Sequence, residues 1–164
     1  MAMRNLENAF VEEMRDMLSA EKQITRALKK MAKKASHPKL KEAFEEHLTE
    51  TEEQIHRLEQ AFESLDRAPR ARHCDGVAGL IDEGKEAMEE AAEPEVLDAL
   101  LIASAQKVEH YEIASYGTLC TWADMLGHQR AKQLLHKTLE EEKETDHKLT
   151  QMAMEINRQA QPAG

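Results

Sequence analysis

Four glutamates, one in each of four long segments with helical apolar spacing, lie where a helix would bury them. They are Glu21, Glu50, Glu109 and Glu142, and each is near the midpoint of its segment. Because an α-helix turns about 100° per residue, the phase of a residue relative to its apolar neighbours indicates whether it faces the core. Buried carboxylates are rare unless they are paired or bind a metal. Four acids at one level therefore predict a metal site inside a helical bundle.

The third of these segments contributes two acids. Within residues 107–117, Glu112 lies about 60° from Glu109 on a helical projection. Both acids fall in the apolar sector of this helix, whose other members are Leu101, Ile102, Ala105, Val108, Ile113, Tyr116, Leu119 and Cys120. Tyr116 is therefore in a position to pack in the core, to bond a ligand carboxylate or to carry an electron.

Spacing along the chain favours a site for two ions. Glu21 and Glu50 are 29 residues apart, and Glu112 and Glu142 are 30 residues apart. Two helical hairpins would thus carry their acids at similar separations, as a pseudo-symmetric site for two metal ions requires. The alternatives are a solvated helix face, since a chain with 32 acidic residues buries some by chance, or a dimer interface where the acids face Lys or Arg.

Three more residues have the phase to complete the site. His47 and Gln54 flank Glu50 on the second segment, and Asp146 follows Glu142 on the fourth. Each carries a nitrogen or oxygen atom that can bind a metal directly or hold a neighbouring ligand in place.

Two Glu-x-x-His strings, of the kind that di-iron bundles use, face the wrong way. They are Glu53 with His56 and Glu144 with His147. Both pairs lie opposite the apolar face of their helix, which predicts that they are solvated. The alternative, in which these histidines are ligands, requires a different register for the second helix.

Composition excludes several classes of function. The formal net charge of -10 argues against nucleic acid and against an anionic membrane as partners. Two cysteines, Cys74 and Cys120, suit a reducing compartment rather than a disulfide framework. The N-terminus lacks the apolar core of a signal peptide, and no apolar stretch is long enough to span a membrane. We therefore expect a cytoplasmic protein without a membrane partner.

Helical periodicity and few helix breakers predict an all-α single domain over residues 1–164. The predicted helices cover residues 6–35, 38–66, 94–126 and 128–158, and a shorter helix covers residues 77–92. Short connections make the first pair and the last pair antiparallel hairpins, and the segment between them is long enough to cross the bundle. This is the ferritin-like four-helix bundle, with a long crossover between its second and third helices that carries a short fifth helix.

Four strings in the sequence resemble one known family. They are SAEKQI from Ser19, HLTET from His47, KVEHYEIASYG from Lys107 and LEEEK from Leu139. On these strings the chain resembles the YciE/YciF family of bacterial ferritin-like proteins over nearly its whole length. The resemblance implies a rubrerythrin-like four-helix domain, often a homodimer, that is linked to bacterial stress responses.

Rubrerythrin-type sites place one Glu on the first helix, Glu-x-x-His on the second, Glu-x-x-Glu on the third and Glu-x-x-His on the fourth. Glu21 matches the first position, and the pair Glu109 and Glu112 matches the third. The fourth helix departs from the pattern, because Thr145 stands three residues after Glu142 where a histidine is expected.

The second helix departs as well, because Glu50 is followed at the same spacing by Glu53. His47, Gln54 and Asp146 are the candidates to substitute for the missing histidines. A site richer in carboxylates is a harder ligand set, weaker for iron(II) or better suited to manganese.

The sequence thus predicts a protein with two metal ions, iron first and manganese as the alternative, that reacts with peroxide or dioxygen. No cysteine-rich electron-transfer module is present, so electrons would come from an external donor protein. The alternative is a non-enzymatic helical dimer that acts as a stress-associated binding or scaffold protein. Iron storage is a third option, disfavoured because no fifth long helix of the kind found in large cages follows the fourth.

Overall fold

Five α-helices form in the predicted order within residues 2–163, the part of the chain that this computed structural model describes. Their bounds are α1 Leu6–Lys34, α2 Pro38–Glu63, α3 Asp75–Glu90, α4 Pro94–Met125 and α5 Gln129–Gln159. The predicted all-α fold is confirmed, and the described residues contain no strand. None of these helices is long and apolar enough to cross a bilayer.

The four long helices pack as a ring. α1 lies against α2, α2 against α5, α5 against α4 and α4 against α1, while α3 packs across α1 and α4. The 16 residues of α3 span about 24 Å, so this helix returns the chain along the outside of the bundle. The ferritin-like bundle with a long crossover and a short fifth helix is therefore confirmed.

Local chemistry explains where the helices begin and end. Asn5 caps α1 by accepting a hydrogen bond from the backbone N–H of Asn8, and prolines at residues 38 and 94 begin α2 and α4. At the end of α4, Gly127 has a φ of 75°, and the N–H of His128 bonds the carbonyl of Ala123. That left-handed cap turns the chain directly into α5.

The crossover begins with a loop held against α1. Cys74 donates its backbone N–H to the Ser19 hydroxyl, and its thiol accepts the N–H of Val77 as the cap of α3. The N–H of Arg72 bonds the carbonyl of Arg15. Because Cys74 serves as the cap, α3 begins at Asp75, two residues before the predicted start. Separately, α2 ends at Glu63, three residues before its predicted end.

A buried aspartate ties the two hairpins together at one end of the bundle. Asp98, near the start of α4, is 3% exposed and accepts three hydrogen bonds from the turn between α1 and α2. The donors are the backbone N–H groups of Ser36, at 2.8 Å, and His37, at 2.9 Å, and the Ser36 hydroxyl at 2.6 Å. This turn would otherwise leave its amides without partners.

We expect Asp98→Ala to lower the free energy of unfolding by about 3 kcal/mol, because hydrogen bonds to a charged group are worth about 1.5–3 kcal/mol each and their donors lose their partner. Urea unfolding followed by circular dichroism measures the change. Asp82→Ala removes the same group from an exposed site on α3 and should change stability by less than about 0.5 kcal/mol. Equal effects of the two substitutions would contradict the role of Asp98.

Candidate metal centre

Four buried side chains converge at the middle of the bundle. His47, Glu109, Glu112 and Glu142 each offer one ligand atom, and these four atoms all lie within 4.8 Å of one another. Two ligand atoms on opposite sides of an ion, each about 2.1 Å from it, are about 4.2 Å apart. The side chains are thus close to the spacing of a shared coordination sphere without further movement of the backbone.

Three helices supply this cluster. α2 contributes His47, α4 contributes Glu109 and Glu112 one turn apart, and α5 contributes Glu142. None of the four is more than 5% exposed. A helix places residues three apart on one face, so the two acids of α4 necessarily project together into the core.

α1 contributes a fourth buried acid. Glu21 has no exposed surface, and its Oε1 accepts a hydrogen bond of 2.5 Å from the Tyr116 hydroxyl. Its Oε2 makes no hydrogen bond. Tyr116 is itself fully buried, and burial together with the charge of Glu21 holds the pKa of its phenol well above the ordinary value. Tyr116 is therefore a neutral donor that fixes one oxygen of Glu21 and leaves the other free.

Most of the carboxylate oxygens in this region lack a partner. Both oxygens of Glu112 and of Glu142, and one oxygen each of Glu21 and Glu109, are buried and make no hydrogen bond. A buried charged group without a partner costs several kcal/mol. Orphaned oxygens beside an imidazole are a ligand set for a transition metal, so the residues present fit such an ion.

His47 links the cluster to the outer edge of the bundle. Its Nε2 lies 2.7 Å from Glu109 Oε1 without the alignment of a hydrogen bond, and its Nδ1 lies 3.6 Å from Glu50 Oε2. Burial lowers the pKa of the His47 imidazole, but the charges and contacts of Glu109, Glu50 and Glu142 together outweigh burial and hold that pKa well above its usual value. Without a metal, His47 and Glu109 therefore form an ion pair.

Electrostatics separate Glu109 from the other acids. Burial raises the pKa of Glu109, but the charge and contact of His47 and the contact with Glu142 together outweigh burial, so the net shift is downward. Burial raises the pKa of Glu21 to about 7. For Glu112 and Glu142, burial followed by the charges of neighbouring glutamates holds the pKa well above the ordinary value. In the absence of metal, Glu112 and Glu142 therefore keep their protons more readily than an exposed glutamate, and Glu21, with a pKa of about 7, is near the midpoint of its titration at neutral pH.

The candidate residues on α2 do not all lie at the centre of the acidic cluster. Glu50 lies at the edge, where its side chain is 39% exposed and its Oε2 accepts from the Thr145 hydroxyl at 3.4 Å. Ligating histidines usually direct their second ring nitrogen toward a carboxylate, and Glu50 occupies that place behind His47. Contact with His47 lowers the pKa of Glu50 despite partial burial, which keeps this carboxylate ionised.

The other two predicted site residues lie in different surroundings. Gln54 is fully buried on the same face of α2 as His47, and neither amide atom has a partner. Asp146 lies outside the cluster, 20% exposed, where it accepts from the Gln106 amide at 3.3 Å and contacts His110 at 3.2 Å. The structure thus brings Gln54 into the core and places Asp146 between α4 and α5.

Both Glu-x-x-His strings are on the surface, as predicted. Glu53, His56, Glu144 and His147 are all exposed. His56 pairs with Glu59 at 3.8 Å within its own helix. The surface interpretation of these strings is confirmed for the residues that the structure describes.

Sequence reasoning underrated His47 and did not single out Arg57. The buried residues of α2 recur every three or four positions around Thr51, a period that includes His47 and Gln54: Leu40, Phe44, His47, Thr51, Gln54, Leu58, Ala61 and Phe62. That period was the signal for His47. Arg57 donates to the Thr138 hydroxyl at 3.0 Å and to Glu141 Oε1 at 2.9 Å, which aligns α2 with α5 next to the site.

Comparison with known proteins identifies relatives of full length. Residues 5–161 match the family described as Domain of unknown function (DUF892). The chain is 50% identical over 163 residues to Protein YciF of Escherichia coli strain K12, which covers 98% of each protein.

Solved structures agree with this match. The crystal structure of the E. coli stress protein YciF superposes with a TM-score of 0.91 at 50% identity, over 95% of this chain and 99% of that one. YcfI of Rhodopseudomonas palustris, described as a candidate structural protein, gives 0.89 at 44% identity over 90% and 94%. A Xanthomonas campestris protein with 24% identity gives 0.73 over 92% of each chain, a likeness of fold alone.

The raised pKa values predict that the metal-free protein loses stability as the pH rises. Between 4.5 and about 7 the folded state holds more protons than the unfolded chain on Glu21, Glu112 and Glu142, so the free energy of unfolding falls as the pH rises. Glu21 alone contributes a loss on the order of 3 kcal/mol, and Glu112 and Glu142 add to it. His47 adds to the loss above its ordinary pKa of 6.5, whereas Glu109 contributes only below 4.5.

Urea unfolding in a chelator, repeated between pH 5 and 8, measures this slope. Replacing Glu112 and Glu142 by Gln should flatten it, because the amides carry no proton to lose. A stability that rises with pH over this range in the unsubstituted protein would contradict the protonated state of the acids.

Proposed function

This chain belongs to the DUF892 family, and on that premise we propose that it is a di-metal carboxylate protein of the bacterial stress response that reduces peroxide or dioxygen. The observation that carries the proposal is the convergence of buried, unpartnered carboxylate oxygens with one imidazole. Structural polar networks of this size are normally satisfied internally, and this one is satisfied if cations enter it.

The residues that would hold the ions are His47, Glu109, Glu112, Glu142 and Glu21. One imidazole among several carboxylates suits iron(II) or manganese(II) better than zinc, which prefers nitrogen and sulfur ligands. A pair of ferrous ions, when bound, supplies the two electrons that reduction of a peroxide to two waters consumes.

The protein's own side chains release protons to the entering cations and orient the residues that bind them. Glu112 and Glu142 release protons when cations replace them, so binding strengthens as pH rises. Tyr116 orients Glu21 through its hydroxyl, and Glu50 supports the ring of His47 from the edge. The half-exposed carboxylate of Glu50 also gives an incoming cation a first contact beside the buried imidazole.

Other features of the proposal concern the context of the protein. We propose that residues 1–164 form a single domain and that the protein is a homodimer located in the cytoplasm. We also propose that an external donor protein supplies its electrons. Free thiols at Cys74 and Cys120 support a reducing compartment. The acidic surface, with a formal net charge of -10, supports the absence of nucleic acid and membrane partners.

Two observations favour a second candidate function. The R. palustris relative is described as a candidate structural protein, and in this chain protons and the His47–Glu109 pair neutralise the core acids without any metal. A non-enzymatic helical dimer that acts as a scaffold in the stress response accounts for both. In that case removal of the buried charges stabilises the fold and nothing else is lost.

Metal binding separates the two functions. We expect anaerobic titration with iron(II), followed by desalting and elemental analysis, to give up to two ions per chain. His47→Ala should lose at least half of this metal, because it removes the only imidazole of the cluster among residues 2–163. His56→Ala, which removes an exposed histidine from the same helix, is the matched control and should bind as the unsubstituted protein does.

Less than one ion per chain, or equal loss from His47→Ala and His56→Ala, would favour the scaffold. A bound metal at 100 times its Kd should also raise the free energy of unfolding by about 2.7 kcal/mol. Replacement of Glu112 and Glu142 by Gln should abolish this gain while stabilising the metal-free protein.

Peroxide consumption tests the reaction itself. With iron(II) loaded in the absence of oxygen, we expect two ferrous ions to be oxidised for each peroxide consumed, as measured by stopped-flow absorbance against a standardised peroxide stock. Two ions held together in one site impose that ratio. A ratio of one ion per peroxide, or oxidation no faster than that of free iron(II), would contradict a paired site.

A further inference from the structure

A cavity of about 620 Å³ opens between α1, α3 and α4 on the side of the bundle next to the metal centre. Its volume is within the roughly 300–1,000 Å³ of small-molecule sites. His47 and Glu109 form part of its wall, so the cavity reaches the edge of the acidic cluster. Along α1 it extends from Gln23 to Lys34, which is about 16 Å of helix.

The inner surface of the cavity is apolar. Aliphatic and thioether side chains from all three helices form most of it, and they include Ile24, Leu28, Met31, Ile81, Met88 and Val108. Gln23 lies at the end nearest the start of α3, where its amide bonds the Cys74 carbonyl at 3.1 Å and the Ser19 hydroxyl at 3.2 Å. The Gln23 amide nitrogen already has two acceptors, so this end of the cavity offers a ligand no strong polar contact apart from the metal centre.

The mouth of the cavity is cationic in an acidic protein. Six basic residues line it against a single acid, Glu89, and they are Arg26, Lys29, Lys30, Lys33, Lys34 and Lys85. All six are exposed, and within residues 2–163 only Lys29 forms an ion pair, with Glu52 at 4.0 Å. Lys33 and Lys34 also complement the end of the α1 dipole, but Lys30 and Lys85 lie outside that turn.

We infer that this cavity binds a long-chain fatty acid anion, with its carboxylate at the lysines and its alkyl chain directed toward His47 and Glu109. Charge complementarity selects an anionic head, and the apolar wall selects an alkyl chain. Because a C–C bond is about 1.5 Å long, an extended chain advances roughly 1.3 Å per carbon, and about twelve carbons fill the cavity. Binding at this site needs no metal and stands apart from the proposed redox function.

The test uses the full-length, metal-free protein and a fluorescent polyene C12 fatty acid whose emission rises in apolar surroundings. We expect saturable binding with one acid per chain. The methyl ester, which lacks the negative charge, and octanoate, which is too short to fill the cavity, should each bind at least tenfold more weakly. Equal binding of the acid and its ester would overturn the proposed role of the lysines.

Charge reversal at the mouth provides the matched comparison. Lys30→Glu with Lys33→Glu should weaken binding at least tenfold, whereas Lys41→Glu with Lys137→Glu makes the same change of net charge at exposed positions outside the cavity and should have no effect. Equal effects of the two pairs would show that net charge alone governs binding and would overturn the assignment.

Filling the cavity gives a second and independent variant. Ala27 lines the cavity from α1 and is half-buried, so Ala27→Phe should occupy part of the apolar space and abolish binding of the C12 acid. The same variant should keep its metal, whereas Glu142→Gln, which changes a metal ligand outside the cavity wall, should lose metal and keep the fatty acid. Failure of the cavity assignment and failure of the proposed function are therefore separate results.

Two other occupants are outcomes that would overturn the inference. Binding to vesicles of anionic phospholipid but not to the free acid would assign the surface to a membrane lipid. Fluorescence that appears only when the protein is diluted until its oligomers dissociate would show that a second copy of the chain covers the cavity.

Discussion

The need to neutralise buried acids at the centre of the bundle is the constraint on which the rest of the structure depends. Four buried acids from three helices share one small volume with one imidazole, and few of their oxygens have partners. Protons satisfy the three acids whose pKa is raised, and His47 satisfies Glu109. Cations would satisfy all of them together. The same side chains therefore support two charge states, and the fold must hold them in place in both.

The sequence predicted the α4 part of this centre well because α4 is enclosed. Apolar residues surround Glu109 and Glu112 on both sides, so their phase leaves no solvated alternative. The α2 part was harder to predict because that helix is amphipathic and its apolar face is broad. Leu48 and Ile55 are apolar but only half-buried, and the centre of the buried face lies at Thr51. When α2 is turned so that Thr51 is at the centre of its buried face, His47 enters the core and Glu50 moves to the edge.

Contacts between distant polar residues were beyond sequence reasoning. Asp98 binds the turn at residues 36–37, and Arg57 bridges to Thr138 and Glu141, yet neither position carries a periodic signal. Their partners are fixed only once the helices have docked. The Glu-x-x-His strings show the opposite case, in which a familiar spacing is present but the helical phase places both strings in solvent. Phase was therefore a better guide to burial than motif spacing.

The order of contacts along the chain has a consequence for folding kinetics. Each hairpin, α1 with α2 and α4 with α5, is held by contacts that are local in sequence, whereas α1 meets α4 across more than sixty residues. Local contacts form fastest, since closing a long loop costs more entropy. Glu21 and Glu112 therefore come together only when the two hairpins dock. We expect electrostatic repulsion to act late, so that alkaline conditions without metal slow docking while leaving hairpin formation unaffected.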